Sequence, residues 1–174
     1  MLIVLIGPPG CGKGTLCKQL IEDPQYLHIS TGDMLRREAE TNTGLRDLLA
    51  RGEYASDEYT TQLLLNKITS SPKKYLLDGY PRTLEQAHIL DKILGRPSVV
   101  LHFNVEDRIS KQRIKTRNQG REDDKEDVLD KRFRIYHQRT EPILKHYKEV
   151  IVEIDGSKSK KEVYESVKSK LLNF

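Results

Sequence analysis

The chain has 174 residues, a length that fits one hydrophobic core better than two separate domains. It is 36% hydrophobic and 32% charged, and no apolar run is long enough for a membrane-spanning helix. The two cysteines, Cys11 and Cys17, cannot build a disulfide framework or a four-ligand zinc site, and they point to the cytoplasm. The net charge of +4, from 30 basic and 26 acidic residues, bears on partners only through its distribution. The start, MLIVLIGPPG, has no basic region before its short apolar run, so no signal peptide is expected.

In chain order, short apolar runs alternate with amphipathic helical stretches, with no internal repeat and no low-complexity linker. Leu2–Ile6 predicts a first strand and Lys13–Glu22 the helix behind it. A second strand is expected at Tyr26–Ser30. Three helical stretches come before the next strand, at Gly32–Glu40, Leu45–Arg51 and Asp57–Ser70. Strand Tyr75–Asp78 leads into helix Leu84–Leu94, and strand Val99–Val105 into helix Asp107–Arg117. A long helix Lys125–Tyr147, a strand Glu149–Ile154 and a helix Lys160–Leu172 complete the chain. Nearly continuous apolar strands joined by crossover helices indicate an α/β fold with a parallel sheet covered on both faces. About 44 residues separate the second and third strands, more than one crossover helix needs, so a small helical lobe should project there.

The most specific motif joins the first strand to the first helix. LIVLI runs into GPPGCGKGT and then LCKQLI, the strand–loop–helix context of a phosphate-binding loop. Its glycines, Gly7, Gly10, Gly12 and Gly14, let successive N–H groups curl inward, and the helix adds the positive end of its dipole. Lys13 supplies a charge able to follow a transferring phosphoryl group. In the common pattern Ser or Thr directly follows the lysine. Here Gly14 intervenes before Thr15, a spelling that suits a narrower group than the general nucleotide hydrolases. Cys11 reads as filler.

Three further segments carry chemistry. STGDMLRRE (Ser30–Glu38) follows a strand and starts a helix at a Thr31–Asp33 cap. LLDGYPRT (Leu76–Thr83) ends a buried strand in an acid, a glycine, a proline and an arginine. QGREDD (Gln119–Asp124) closes the stretch 108–121, which holds six Lys or Arg and no Asp or Glu. None of the five histidines (His28, His88, His102, His137, His146) has metal-ligand spacing, so core or surface positions are expected.

With these four motifs in order along essentially all 174 residues, the chain resembles the nucleoside monophosphate kinases, most closely the short-lid adenylate kinases. The resemblance implies a P-loop nucleotide kinase fold, a five-stranded parallel sheet flanked by helices in one domain, 1–174. It divides that domain into a core (1–30, 59–116 and 125–174), an acceptor-binding helical lobe (31–58) and a short lid (117–124). It implies that Gly10, Cys11, Gly12, Lys13, Gly14 and Thr15 cradle the ATP phosphates, with Arg117 on those phosphates and the Lys158 backbone near the donor adenine. Asp78 would reach Mg²⁺ through water. The implied AMP site comprises Thr31, Arg36, the backbone of Glu53, Tyr54 and Ala55, then Gly79, Tyr80, Pro81 and Arg82, with Gln86 on the base. Arg121 and Arg132 would contact both transferring and acceptor phosphates, so Lys13, Arg82, Arg117, Arg121 and Arg132 form the implied catalytic set. Asp123 and Asp124 would hold arginines as ion pairs in the open site. Arg113 has no comparable role. The implied reaction is a reversible Mg-dependent transfer, ATP + AMP to two ADP, by direct in-line attack.

Some positions refine or depart from the family pattern. Uridylate/cytidylate kinases tend to carry Ala at Thr31 and Asn at Gln86, so the pair present here favours AMP. The alternatives are a UMP/CMP or broad-specificity kinase, or a nucleotide-binding protein without catalysis. The lid between Arg117 and Arg121 is two residues shorter than the usual short form, and without cysteines it has no zinc. Glu53 stands where Lys or Gln is common, so only its backbone is expected to serve. The basic stretch lacks aromatics, so no nucleic-acid partner is expected. Nor is a membrane, and the expected state is a monomer.

Overall fold

All five residues of β1 (Leu2–Ile6) are buried, because this strand lies at the centre of the sheet with helices over both faces. The computed structural model describes residues 1–68, 74–117 and 120–172, without the side chains of Arg117 and Glu122. With β2 (Tyr26–Ser30), β3 (Lys74–Asp78), β4 (Val99–Asn104) and β5 (Ile151–Asp155), β1 forms a five-stranded parallel sheet, ordered β2-β3-β1-β4-β5. The α-helices are α1 (Lys13–Leu20), α2 (Thr31–Glu38), α3 (Thr43–Ala50), α4 (Asp57–Leu65), α5 (Leu84–Leu94), α6 (Asp107–Arg117), α7 (Glu126–His146) and α8 (Lys160–Leu171). No helix among the described residues is long and apolar enough to cross a membrane.

Alternation along β1 divides the core. Ile3 and Leu5 pack with Leu16, Cys17 and Leu20 of α1 and Val163, Val167 and Leu171 of α8. Leu2, Val4 and Ile6 pack on the other face with Leu90 of α5, Ile143 of α7 and the adjacent Tyr147. Helices α2 to α4 add a small core of their own, with Leu35, Ala39, Leu45 and Ala55 buried together. That separate packing is what lets the stretch stand as a helical lobe.

Because every strand runs the same way, all carboxyl ends meet at one edge. Asp78 ends β3 opposite Leu5 of β1 on one side and Ser30 of β2 on the other. The loop after β1 therefore leaves the sheet at its centre, beside the ends of β3 and β4, where open α/β sheets form their ligand crevice.

Several boundaries differ from the sequence expectation. Ser30, not Thr31–Asp33, caps α2, its hydroxyl accepting from the Asp33 N–H at 3.2 Å. The reason is that Ser30 still has extended backbone from β2 while Thr31 is already helical. Helix α4 stops at Leu65 with Asn66 as its C-cap, and the expected end at Ser70 lies outside the described residues. Strand β5 begins at Ile151, since Lys148–Val150 form a single 3₁₀ turn.

Candidate active site

The loop between β1 and α1 is held by backbone geometry that only glycine adopts easily. Gly10 has φ +78°, and a Cβ there would stand 2.6 Å from the Ser110 carbonyl oxygen and 2.6 Å from Ile114 Cγ1 of α6. The Lys13 ammonium folds back over this loop, donating to the carbonyls of Gly7 (2.7 Å) and Pro8 (3.1 Å) and to Cys11 Sγ (3.3 Å). Cys11 is thus a buried contact of the lysine as well as a loop residue.

Arg113, to which the sequence assigned no role, ties this loop to the one before α8. Its guanidinium donates to the carbonyls of Gly156 (2.6 Å), Ser157 (3.2 Å) and Cys11 (3.4 Å). Lys158 lies on the same loop and lines the cleft. Since charged hydrogen bonds are worth more than neutral ones, Arg113→Ala should destabilise the fold by about 1–2 kcal/mol. A thermal melt should show this as a midpoint lower by about 2–8 °C.

Asp78 lies at the floor of the cleft, its Oδ2 3.3 Å from His28 Nε2 of β2 and 3.8 Å from where a Gly14 Cβ would be. Burial works to raise its pKa, but the His28 hydrogen bond and the charges of Lys13 and Arg82 outweigh that and hold it below the usual carboxylate range. It is an anionic oxygen ligand facing the phosphate loop.

Opposite the loop, arginines converge on acids. Arg36 binds Asp33 within α2, and Arg121 Nη2 lies 3.9 Å from the same carboxylate. Burial opposes the Asp33 charge, yet the Arg36 bond, Ser30 and Arg121 keep its pKa lowered. Arg132 of α7 is largely buried and meets both Asp123 Oδ2 and Asp124 Oδ1 at 3.0 Å, the pairing expected from sequence. The Arg82 guanidinium donates from Nε to the Gly79 carbonyl at 2.8 Å. It also lies 5.2 Å from the centre of the Tyr54 ring, which Arg139 approaches at 5.0 Å. Arg139 was not singled out in the sequence, because only the folded chain brings α7 to residue 54.

These groups share one cleft of about 980 Å³. Its wall includes Gly10, Cys11, Gly12, Lys13, Gly14 and Thr15 of the loop, and Arg36, Tyr54, Asp78, Gly79, Pro81, Arg82, Arg121 and Arg132 beyond it. Other expected site residues lie behind the wall. Thr31 is fully buried and donates to the Gly79 carbonyl at 2.7 Å, and Tyr80 is buried against the Thr61 hydroxyl at 2.8 Å. Ala55 packs in the small core of the lobe, and the Glu53 carboxylate turns outward to Lys131 at 2.9 Å. The Arg117 side chain, like Asn118 and Gln119 of the lid, lies outside the described residues.

Gln86 is held at both ends of its amide. It is 1% exposed, with Oε1 accepting from the Arg82 N–H at 2.7 Å and Nε2 donating to Asp57 Oδ1 at 2.8 Å. Thr83 caps α5 through the Gln86 N–H (3.0 Å) and donates to Asp57 Oδ2 (3.0 Å). The signal was present in the sequence as Thr83-x-x-Gln86, the spacing of a capping box. Asp57, the group that orients this amide, carried no motif of its own.

Comparison with known proteins now has a site to refer to. The sequence model of the family described as adenylate kinase matches residues 5–152. An adenylate kinase of Rhodopirellula baltica is 39% identical over all of this chain and 96% of its own length. One from Encephalitozoon cuniculi is 38% identical over 95% of each chain. A probable UMP-CMP kinase of Arabidopsis thaliana is 34% identical over 96% of this chain and 86% of its own. A phosphate loop at the centre of a parallel sheet, a facing set of arginines and this near-complete similarity have one common explanation: the chain belongs to the adenylate kinase family.

Proposed function

We propose that this chain catalyses reversible phosphoryl transfer from ATP to AMP, giving two ADP. The observation that carries the reading is the convergence of Lys13, Arg36, Arg82, Arg121 and Arg132 on one cleft whose floor is the phosphate loop. Transfer between two anionic nucleotides needs positioning and charge neutralisation more than covalent chemistry. In this reading the N–H groups of Gly10 to Thr15 hold the donor phosphates, Lys13 exchanges its loop carbonyls for phosphate oxygen, and Arg117 assists from the lid. Lys158 backbone borders the donor base. Arg36 and Arg82 hold the acceptor phosphate. Arg121 and Arg132 give up Asp33 and the Asp123–Asp124 pair, respectively, for the equatorial oxygens of the group in flight. The acceptor phosphate is itself the nucleophile, so no general base is assigned.

Asp78 and the Thr15 hydroxyl are hard oxygen donors at the loop, a set that fits Mg²⁺. Mg²⁺ bound there would neutralise charge on the donor phosphates. The lobe 31–58 is the acceptor side, 117–124 the lid, and the remainder the core. Two buried free cysteines support a reducing compartment, and we infer a cytoplasmic monomer.

The base reading rests on Gln86 and Thr31, and similarity to a probable UMP-CMP kinase keeps a pyrimidine acceptor as the second reading. Coupled ADP formation with ATP and AMP, UMP, CMP, GMP or dTMP should be fastest with AMP. Faster turnover with UMP or CMP overturns the base assignment, and no turnover with any acceptor overturns the enzyme reading. If Asp57 orients Gln86 for the base, Asp57→Asn should raise KM for AMP by about 10–100-fold, the worth of a hydrogen bond to a charged group. KM for ATP should stay within about twofold.

A further inference from the structure

Helix α1 and strands β2 and β3 bring three chemically different ligands to one point. Cys17 Sγ, an imidazole nitrogen of His28 and a carboxylate oxygen of Asp78 all lie within 4.8 Å of one another. Cys17 is fully buried one turn after Lys13, while His28 and Asp78 line the floor of the cleft. Residues 17, 28 and 78 lie on separate elements, so neither cysteine counting nor histidine spacing could reveal the cluster.

The distances suit a small tetrahedral ion. His28 Nε2 and Asp78 Oδ2 are 3.3 Å apart. Metal–nitrogen and metal–oxygen bonds of about 2.0 Å place two tetrahedral ligands roughly 3.3 Å from each other. At present that pair shares a hydrogen bond, which a metal ion would replace. A zinc–sulfur bond near 2.3 Å places sulfur about 3.5 Å from the other ligands, so Cys17 must close by about 1.3 Å at most from the 4.8 Å limit. Thiolate plus imidazole favours zinc over magnesium, which prefers an all-oxygen shell.

We propose that Cys17, His28 and Asp78 form an inhibitory site for a thiophilic divalent cation, with Zn²⁺ the fitting ion. Binding replaces the Cys17 thiol proton, which leaves to solvent, by a metal–sulfur bond. It also commits the Asp78 carboxylate, the oxygen that faces Gly14 and offsets Lys13, to the bound ion. Burial, then the Asp78 charge, push the Cys17 thiol pKa up, so without a metal this group is a protonated, inert part of the core. The binding claim is independent of which nucleotide the enzyme phosphorylates.

Co²⁺ titration of the nucleotide-free protein tests it, because a cobalt–thiolate bond has an intense near-ultraviolet charge-transfer band. Wild type and Cys11→Ala should both show the band. Cys17→Ala should lose it, as should Cys17→Ser, which keeps the volume if the alanine variant folds poorly. Removing the sulfur should weaken binding by more than about tenfold. Absence of the band in wild type, or its loss in Cys11→Ala with retention in Cys17→Ser, overturns the site. In the transfer assay with Mg·ATP in excess, added Zn²⁺ should inhibit wild type and spare Cys17→Ser. Equal inhibition of both overturns the inhibitory role.

Discussion

Replacing Arg121 with alanine should lower turnover by about 10³–10⁵-fold while changing ATP affinity by less than about tenfold. The asymmetry follows from what Arg121 faces. Its guanidinium lines the same cleft as the phosphate loop, near Asp33 at 3.9 Å, and in the proposed reaction it would exchange that acid for the more negative phosphoryl group. An arginine placed there acts on charge that develops in the transition state, and ground-state ATP gains little from it. Single-turnover rates and equilibrium ATP titrations measure the two quantities separately. Equal losses in both would contradict the role. Arg121→Lys should restore only part of the rate, because an ammonium cannot reproduce the planar fork.

Gly10→Ala should abolish transfer and destabilise the fold by about 2–5 kcal/mol. Two costs add. The left-handed backbone at φ +78° costs a non-glycine residue about 1–2 kcal/mol, and forcing a methyl into a packed site adds about 1–3 kcal/mol. The new Cβ would be 2.6 Å from a backbone carbonyl of α6, which cannot rotate away as a side chain could. The phosphate loop or α6 must move, and with either goes the cradle of N–H groups. Gly120→Ala is the control. It also has positive φ, +62°, but no atom of the described residues lies within 4 Å of its Cβ position, so the conformational cost of about 1–2 kcal/mol is the one expected. Thermal unfolding should separate the two variants by several degrees. Similar midpoints would mean that the contact with α6 is not what makes Gly10 necessary.

The parts of this protein legible in the sequence are those governed by local rules. The strand at Leu2–Ile6, the phosphate loop and the helices Leu84–Leu94 and Asp107–Arg117 follow from apolar runs, glycine spacing and helical period, and they occur at the expected residues. Pairing of the site arginines with Asp123 and Asp124 was implied by the resemblance, and the fold brings Arg132 to both. Less legible was the orientation of side chains that satisfy buried polar groups. Thr31 and Gln86 are implied contacts of the acceptor, and in the fold each also bonds the protein's own groups, Thr31 the Gly79 carbonyl and Gln86 the Arg82 amide and the Asp57 carboxylate. A buried amide left unpaired is costly, so the fold supplies partners that a motif does not list.

Composition and the order of motifs determined an α/β fold and a phosphate loop at the head of its first strand, because each depends on residues near one another in the chain. The tertiary structure alone decided that Arg113 joins the phosphate loop to residues 156–158, that Asp57 orients Gln86, and that Cys17, His28 and Asp78 meet beneath the cleft. Those contacts join residues on different elements, and the packing of helices and loops against the sheet, not local spacing, brings them together.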